Sequence, residues 1–105
     1  MDLEAVQFDA DRLADICRRY QVVRLEAFGS FASAQATAAS DLDILVTFEP
    51  DARIGLEFVA LQQELADLFG RAVDLLTRAS VERSANKYFR RYALDHTRVL
   101  YERAA

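Results

Sequence analysis

The sequence predicts an α+β fold, in which a small mixed or antiparallel sheet is flanked by helices. Residues 22–28 and 41–48 have the apolar density and alternation of strands, and apolar residues recur at helical spacing before, between and after them. At 105 residues, the chain is long enough for one core and short for two. We therefore expect a single domain over residues 1–105.

The first predicted helix covers residues 9–20, and Asp9 can cap its start. Its apolar side chains fall on one stripe: Leu13, Ile16, Cys17 and Tyr20. Because Cys17 lies in this stripe and is the only cysteine, we expect a core residue rather than a nucleophile or half of an internal disulfide. The strand at 22–28 then leads into Gly29-Ser30, a turn where the backbone can approach a ligand closely.

The next segment joins a loop to the clearest strand of the chain. Phe31 and Ala32 are expected to begin a short helical turn, and residues 33–39, which are small and uncharged, are expected to form a surface loop. In the strand at 41–48, one face carries Leu42, Ile44, Val46 and Phe48, and the other carries Asp41, Asp43, Leu45 and Thr47. Both aspartates thus lie at the beginning of this strand, next to the loop.

A second helix and a third strand are predicted after Pro50-Asp51. The helix covers residues 56–69 and stops at Gly70, with an apolar stripe of Phe58, Leu61, Leu65, Leu68 and Phe69. The strand covers residues 72–77 and places Asp74 between apolar residues. A buried charge is costly there unless a metal or an acceptor hydroxyl pairs with it.

A final helix is predicted with Ser80 as its cap, followed by a last short strand at residues 99–101. One face of this helix collects Ala85, Tyr88, Phe89, Tyr92, Ala93 and His96. We expect His96, the only histidine, to be packed in the core, and we expect the three aromatic residues to face the core rather than a partner.

Charge and hydropathy exclude several classes of protein. The formal net charge of −4 disfavours a protein that holds nucleic acid by neutralising many phosphates. Basic residues concentrate after residue 77, where a solvated helix face is favoured over a surface for an acidic partner. The N-terminus lacks the pattern of a secretion signal and no apolar run approaches a membrane-spanning length, so we expect a cytoplasmic protein without membrane contact.

The spacing of residues along the sequence predicts that a phosphate-binding turn lies close to several carboxylates. Gly29 and Ser30 can offer backbone N–H groups and a hydroxyl to phosphate oxygens, and ten residues separate them from Asp41. Asp41 and Asp43 point to the same face of a strand and can share divalent cations, and Asp74 supplies a third acid. Three crowded carboxylates repel one another, so we expect Mg²⁺ between them and the phosphates of a nucleotide.

This arrangement of Gly-Ser, ten residues and Asp-x-Asp on a strand resembles the minimal nucleotidyltransferases of the DNA polymerase beta-like superfamily. The later strand with Asp74 is similar to the family's third-aspartate strand, so the resemblance covers nearly the whole chain. It implies that Gly29 and Ser30 hold the phosphates of ATP. It also implies that Asp41 and Asp43 bind two Mg²⁺ ions and that Asp74 completes the metal site and helps to activate the acceptor.

The resemblance also implies a partner. Modules of this size lack the acceptor domains of larger relatives and are often encoded beside a helical HEPN-type ribonuclease. In such a toxin–antitoxin pair, the nucleotidyltransferase is the antitoxin and transfers AMP to a toxin tyrosine. We therefore expect a HEPN-type toxin as partner, and leave open whether the chain also forms homo-oligomers.

One departure from the family pattern leaves an alternative open. Many relatives carry Arg-Gly after Gly-Ser-Phe-Ala, whereas this chain has Ser33-Ala34 and so lacks a guanidinium near the phosphates. The alternative is a catalytically weakened binding module that neutralises its partner by masking it. Transfer to a small molecule is disfavoured because no second domain is left to build an acceptor pocket, and polynucleotide synthesis is disfavoured by the acidic balance.

Overall fold

Four strands form a mixed sheet with the order β3-β2-β1-β4 and helices on both faces. A computed structural model describes residues 8–29 and 41–103. Along the chain, the elements are α1 (Ala10–Arg19), β1 (Val22–Phe28), β2 (Leu42–Phe48), α2 (Glu57–Phe69), β3 (Val73–Thr77), α3 (Arg78–Glu82), α4 (Lys87–Leu94) and β4 (Arg98–Glu102). β1 pairs antiparallel with β2 and β4, and β2 pairs parallel with β3. The predicted α+β class is confirmed.

The main core fills the space between one face of the sheet and helices α1 and α2. Its buried side chains include Leu13, Ile16 and Cys17 of α1, Leu25 and Ala27 of β1, Leu42, Ile44 and Val46 of β2, and Leu61 and Leu65 of α2. Cys17 has no exposed surface, and burial raises the pKa of its thiol to about 12. The prediction that Cys17 is an inert core residue is therefore confirmed.

Both helices of the main core begin or end as the sequence predicts. The Asp9 carboxylate accepts hydrogen bonds from the backbone N–H groups of Asp11 and Arg12, at 2.9 and 3.2 Å. α2 ends at Gly70, which adopts a left-handed φ of +68° and donates its N–H to the carbonyl of Ala66. No helix in the described part of the chain is long and apolar enough to span a membrane.

The predicted single helix after β3 is wrong, because two short helices occupy that stretch. Thr77, rather than Ser80, caps α3: its hydroxyl accepts from the N–H of Ser80, whose own hydroxyl donates to the Thr77 carbonyl. The chain then breaks, and the Asn86 side chain caps α4 by accepting from the N–H groups of Tyr88 and Phe89. Each side-chain cap satisfies N–H groups that the helix itself cannot pair. Because there are two caps, two helices begin in this stretch instead of one.

The aromatic face of this region is also more exposed than predicted. Ala93 is the only fully buried residue of α4, whereas Tyr88 is 75% exposed and Tyr92 is 57% exposed. His96 lies in the bend after α4 and is exposed, so its predicted core position is wrong. With the helix broken before Asn86, the predicted stripe no longer lies on one continuous helix face. The last predicted strand is confirmed as β4.

Candidate functional site

The turn after β1 and the start of β2 lie side by side. β1 and β2 are antiparallel, and Phe28 at the end of β1 is paired with Asp43 near the start of β2. Gly29 therefore lies next to Asp43, and Asp41 directly precedes β2. Ser30, together with the predicted helical turn at 31–32 and the loop at 33–39, falls outside the described residues.

The third predicted carboxylate joins the same end of the sheet. β3 runs parallel to β2, and its register pairs Asp74 with Asp43. Two residues further along each strand, Leu45 and Leu76 belong to the smaller core beneath α3 and α4. Since side chains two apart on a strand share a face, both aspartates lie on the face covered by those helices. The sheet thus brings together the acids that the sequence places far apart.

Asp74 differs from its prediction in one respect, because its side chain is exposed. The sequence places it between apolar residues, which suggested a costly buried charge. Within the described part of the chain, however, β3 is an edge strand that pairs with β2 alone, so Asp74 reaches solvent while Val73 and Leu75 turn into the core. The predicted burial of Asp74 is therefore wrong, whereas its position beside Asp43 agrees with the sequence.

Asp43 is the electrostatic centre of the cluster. Burial raises the pKa of its carboxyl above the usual value, and the negative charges of Asp74 and Asp41 raise that pKa further. The half-buried carboxylate is therefore costly to ionise where it stands. A positive charge bound next to the Asp43 carboxylate would favour its ionised form instead.

The raised pKa of Asp43 gives a pH-dependent prediction. The folded chain holds a proton on Asp43 more readily than the unfolded chain, so ionised Asp43 lowers the free energy of unfolding. This cost is complete above the folded pKa and is lost as the pH falls from the folded pKa to the ordinary one. We expect Asp43→Asn to be more stable than wild type at pH 7. That advantage should shrink between the raised folded pKa and the ordinary value near 3.8. Urea denaturation across this range measures it, and an advantage independent of pH would contradict the assignment.

The donor set suits a divalent cation with oxygen ligands. The side chains of Asp41, Asp43 and Asp74 offer carboxylate oxygens, which Mg²⁺ prefers, and the charges of Asp41 and Asp74 act on Asp43. In the conformation shown, no three Asp, Glu, His or Cys side chains among residues 8–29 and 41–103 already form a metal-binding group. The chemistry of the carboxylates therefore fits the ion, and their side chains are not preset around it.

The backbone of Gly29 lies close to these groups. Its φ is +70°, and a Cβ atom added there would lie 2.9 Å from Asp43 Oδ2 and 2.7 Å from Tyr92 Oη. Both atoms are the ends of flexible side chains, so they could move aside. A side chain at this position would therefore displace groups at the site more than it would disrupt the core.

Gly29→Ala should weaken nucleotide binding by at least roughly tenfold while lowering stability by only about 1–2 kcal/mol, the usual cost of a left-handed non-glycine residue. Gly70→Ala is a matched control, because Gly70 has nearly the same φ but nothing lies within 4 Å of its added Cβ. We expect the same loss of stability and unchanged binding for Gly70→Ala. Titration with Mg²⁺-ATP and thermal denaturation of both variants measure this, and equal binding losses would refute a local effect at Gly29.

Two features of this face were not identified from the sequence. Tyr92 of α4 reaches the Gly29 turn, although its apolar stripe suggested a core position. Glu26 of β1 is buried and is bound by Arg78 and Thr97. The sequence signal for Glu26 was an acidic residue between the apolar residues Leu25 and Ala27 of a strand, which is costly unless a partner is close.

Comparison with known proteins identifies proteins of similar sequence and similar structure. Residues 10–100 match the family described as nucleotidyltransferase domain. MJ0128 of Methanocaldococcus jannaschii, provisionally named a protein adenylyltransferase, is 39% identical over 61% of this chain and 64% of its own length. The protein adenylyltransferase MntA of Thermococcus cleftensis is 35% identical over 65% of this chain and 68% of its own length. The chain thus spans slightly less than two thirds of MJ0128.

Solved structures with the same fold include a protein provisionally described as a minimal nucleotidyltransferase. It superposes with a TM-score of 0.67 at 32% identity, over 92% of this chain and 94% of the other. A complex of the tri-AMPylated Shewanella oneidensis HEPN toxin with its MNT antitoxin superposes with a TM-score of 0.56 at 21% identity, over 90% of this chain and 70% of that chain. At that identity, the second similarity establishes the fold alone.

Proposed function

Since the chain belongs to the nucleotidyltransferase domain family, we propose that it is a Mg²⁺-dependent protein adenylyltransferase that transfers AMP from ATP to a hydroxyl group of a partner protein. The observation that carries this proposal is the pairing of Asp43 with Asp74 beside the Gly29 turn. Carboxylates and a close backbone approach are what phosphoryl chemistry with metal ions requires.

The residues of the site have separate roles in this reaction. Gly29 and Ser30 hold the phosphate chain of ATP, the first by letting the backbone come close and the second through its hydroxyl. Asp41, Asp43 and Asp74 would hold Mg²⁺, which supplies positive charge to the phosphates when bound. Holding the reactants in line replaces a slow encounter in solution with a reaction between positioned groups.

The chemical step is a substitution at the α-phosphate. The acceptor oxygen forms a bond to the α-phosphorus, the bond between that phosphorus and the oxygen bridging to the β-phosphate breaks, and pyrophosphate leaves. The proton of the acceptor hydroxyl passes to a carboxylate, for which Asp74 is suited because it is exposed on the edge strand and open to an acceptor from solvent. A general base of this kind typically accelerates a reaction by about 10²–10⁴-fold.

We propose a HEPN-type toxin as the partner and a tyrosine hydroxyl as the acceptor, so that the chain acts as an antitoxin. Support comes from the AMPylated HEPN toxin bound to an MNT antitoxin, and from the adenylyltransferase names of the archaeal relatives. The tyrosine acceptor rests on the resemblance stated for the sequence. The exposed end of the site, where Asp74 and Tyr92 reach solvent, leaves space for a second protein to present that group.

A transfer experiment tests this proposal against masking of the partner. The purified protein is incubated with Mg²⁺, ATP labelled at the α-phosphate and the HEPN protein encoded nearest to it. We expect label on the HEPN protein, an added mass of AMP on a tyrosine peptide, and loss of toxin activity that persists after the two proteins are separated. Inhibition without label that ends on separation would instead establish the binding module.

A further inference from the structure

Tyr92 joins the candidate site from the opposite end of the sequence. It lies on α4, and its ring packs edge-to-face on Phe28, with the ring centroids 6.3 Å apart and the planes at 85°. Phe28 is the last residue of β1 and directly precedes Gly29. The ring contact therefore holds the phenol against the turn that ends β1.

The hydroxyl of Tyr92 lies at the turn itself. The same point in space, a Cβ built on Gly29, is 2.7 Å from Tyr92 Oη and 2.9 Å from Asp43 Oδ2. Tyr92 Oη is thus next to both the backbone and a carboxylate of the proposed nucleotide site. The side chain is 57% exposed, so an entering ligand can reach it.

The chemistry of a phenol suits the phosphate side of this site. Tyr O–H is a hydrogen-bond donor that stays neutral at physiological pH, and a phosphate oxygen is a strong acceptor. Asp43 is negatively charged in its ionised form and can only accept, so the phosphates need donors from elsewhere.

We propose that Tyr92 is a nucleotide-binding residue whose hydroxyl donates a hydrogen bond to the phosphate chain of the nucleoside triphosphate held at Gly29. This inference rests on the proposed function for the identity of the ligand. It assigns to α4 a direct contact with substrate, in addition to its packing on the sheet.

The test compares two tyrosines of the same helix. Tyr92→Phe removes the hydroxyl and keeps the ring on Phe28, whereas Tyr88→Phe removes the hydroxyl of an exposed tyrosine one turn earlier. Each variant is titrated calorimetrically with AMP-PNP and with inorganic triphosphate, in the presence of Mg²⁺. We expect Tyr92→Phe to bind both probes about tenfold more weakly, the value for one hydrogen bond to a charged group. Tyr88→Phe should bind as wild type does.

Each other result overturns the inference. Unchanged binding by Tyr92→Phe would show that the hydroxyl makes no contact with the ligand. Weaker binding of AMP-PNP with unchanged binding of triphosphate would place the contact on the nucleoside instead. Equal losses in both variants would indicate a general effect of α4, and thermal denaturation identifies a variant that has lost its packing.

Binding and transfer separate this inference from the proposed function. If Tyr92 contributes to the binding of both probes but no AMP reaches any protein, the contact stands and the proposed transfer reaction fails. If AMP is transferred and Tyr92→Phe binds as wild type does, the reaction stands and the contact fails.

Discussion

Asp43→Asn should reduce AMP transfer by roughly 10³-fold while making the fold more stable than wild type at pH 7. Asparagine keeps the size of the side chain but removes the charge that would hold Mg²⁺ at the centre of the site. Burial and the charges of two neighbouring acids, Asp74 and Asp41, together raise the pKa of the Asp43 carboxyl. Removing its charge relieves that repulsion in the folded state.

Initial rates of label transfer and thermal denaturation measure the two halves of this prediction. Asp51→Asn is a suitable control, because Asp51 is an exposed aspartate in the turn after β2 and lies outside the candidate site. We expect unchanged transfer for Asp51→Asn. Substantial transfer by Asp43→Asn would remove Asp43 from the site, and a large loss of stability would mean that its charge supports the fold.

Glu26→Ala should have the largest effect on stability, a loss of about 3 kcal/mol. Glu26 is 1% exposed, and its two carboxylate oxygens accept hydrogen bonds from Nη1 of Arg78 at 2.9 and 3.0 Å. The Thr97 hydroxyl donates to the same carboxylate at 2.8 Å. Alanine would remove all three hydrogen bonds and leave a cavity on the face of the sheet that α3 and α4 cover. It would also deprive the partly buried guanidinium of Arg78 of its main partner.

Thermal denaturation should show this loss as a fall in melting temperature of roughly 12–24 °C for a domain of this size. Glu82→Ala is a matched control, since Glu82 pairs with the same Arg78 but is 53% exposed. An exposed i,i+4 pair contributes about 0.5 kcal/mol or less, so the control should barely change the melting temperature. Similar falls for both variants would contradict a special role for the buried carboxylate.

The strands were predictable because their side chains alternate. β1 has the predicted bounds, and β2 places Leu42, Ile44 and Val46 in the main core and Leu45 in the smaller one, as the alternation required. The end of α2 was predictable as well, because Gly70 can adopt the left-handed conformation that closes a helix. These properties are local, and a few neighbouring residues determine them.

The two main errors have different causes: one property depends on distant parts of the chain, and the other depends on local helix caps. The sequence does not give the strand order, and only that order makes β3 an edge strand and Asp74 exposed. The break between α3 and α4 was hidden because apolar spacing continues across it, while the caps at Thr77 and Asn86 decide where the helices begin. In short helices, such caps outweigh helix propensity and apolar spacing in setting where the helix begins.

The candidate site was predictable in its carboxylates but not in its surroundings. Asp41 and Asp43 follow a recognisable motif, and their neighbour Gly29 belongs to the same motif. Tyr92 and Glu26 belong to no motif, because their roles depend on α4 and on Arg78 folding over the same face as the aspartates. An aromatic stripe and a single acid in a strand have too many structural explanations to identify a site by themselves.

The pairing of β1 with β4 also determines when the molecule can become active during synthesis. Glu26 and Thr97 are hydrogen-bonded across a separation of 71 residues, and closing so long a loop costs conformational entropy before its contacts form. β1 and β2 can pair early, whereas α4 and β4 dock only after nearly the whole described chain has left the ribosome. A nascent chain would therefore expose its carboxylates first and acquire the helix that carries Tyr92 later, which delays the assembly of the proposed nucleotide site until α4 has been synthesised.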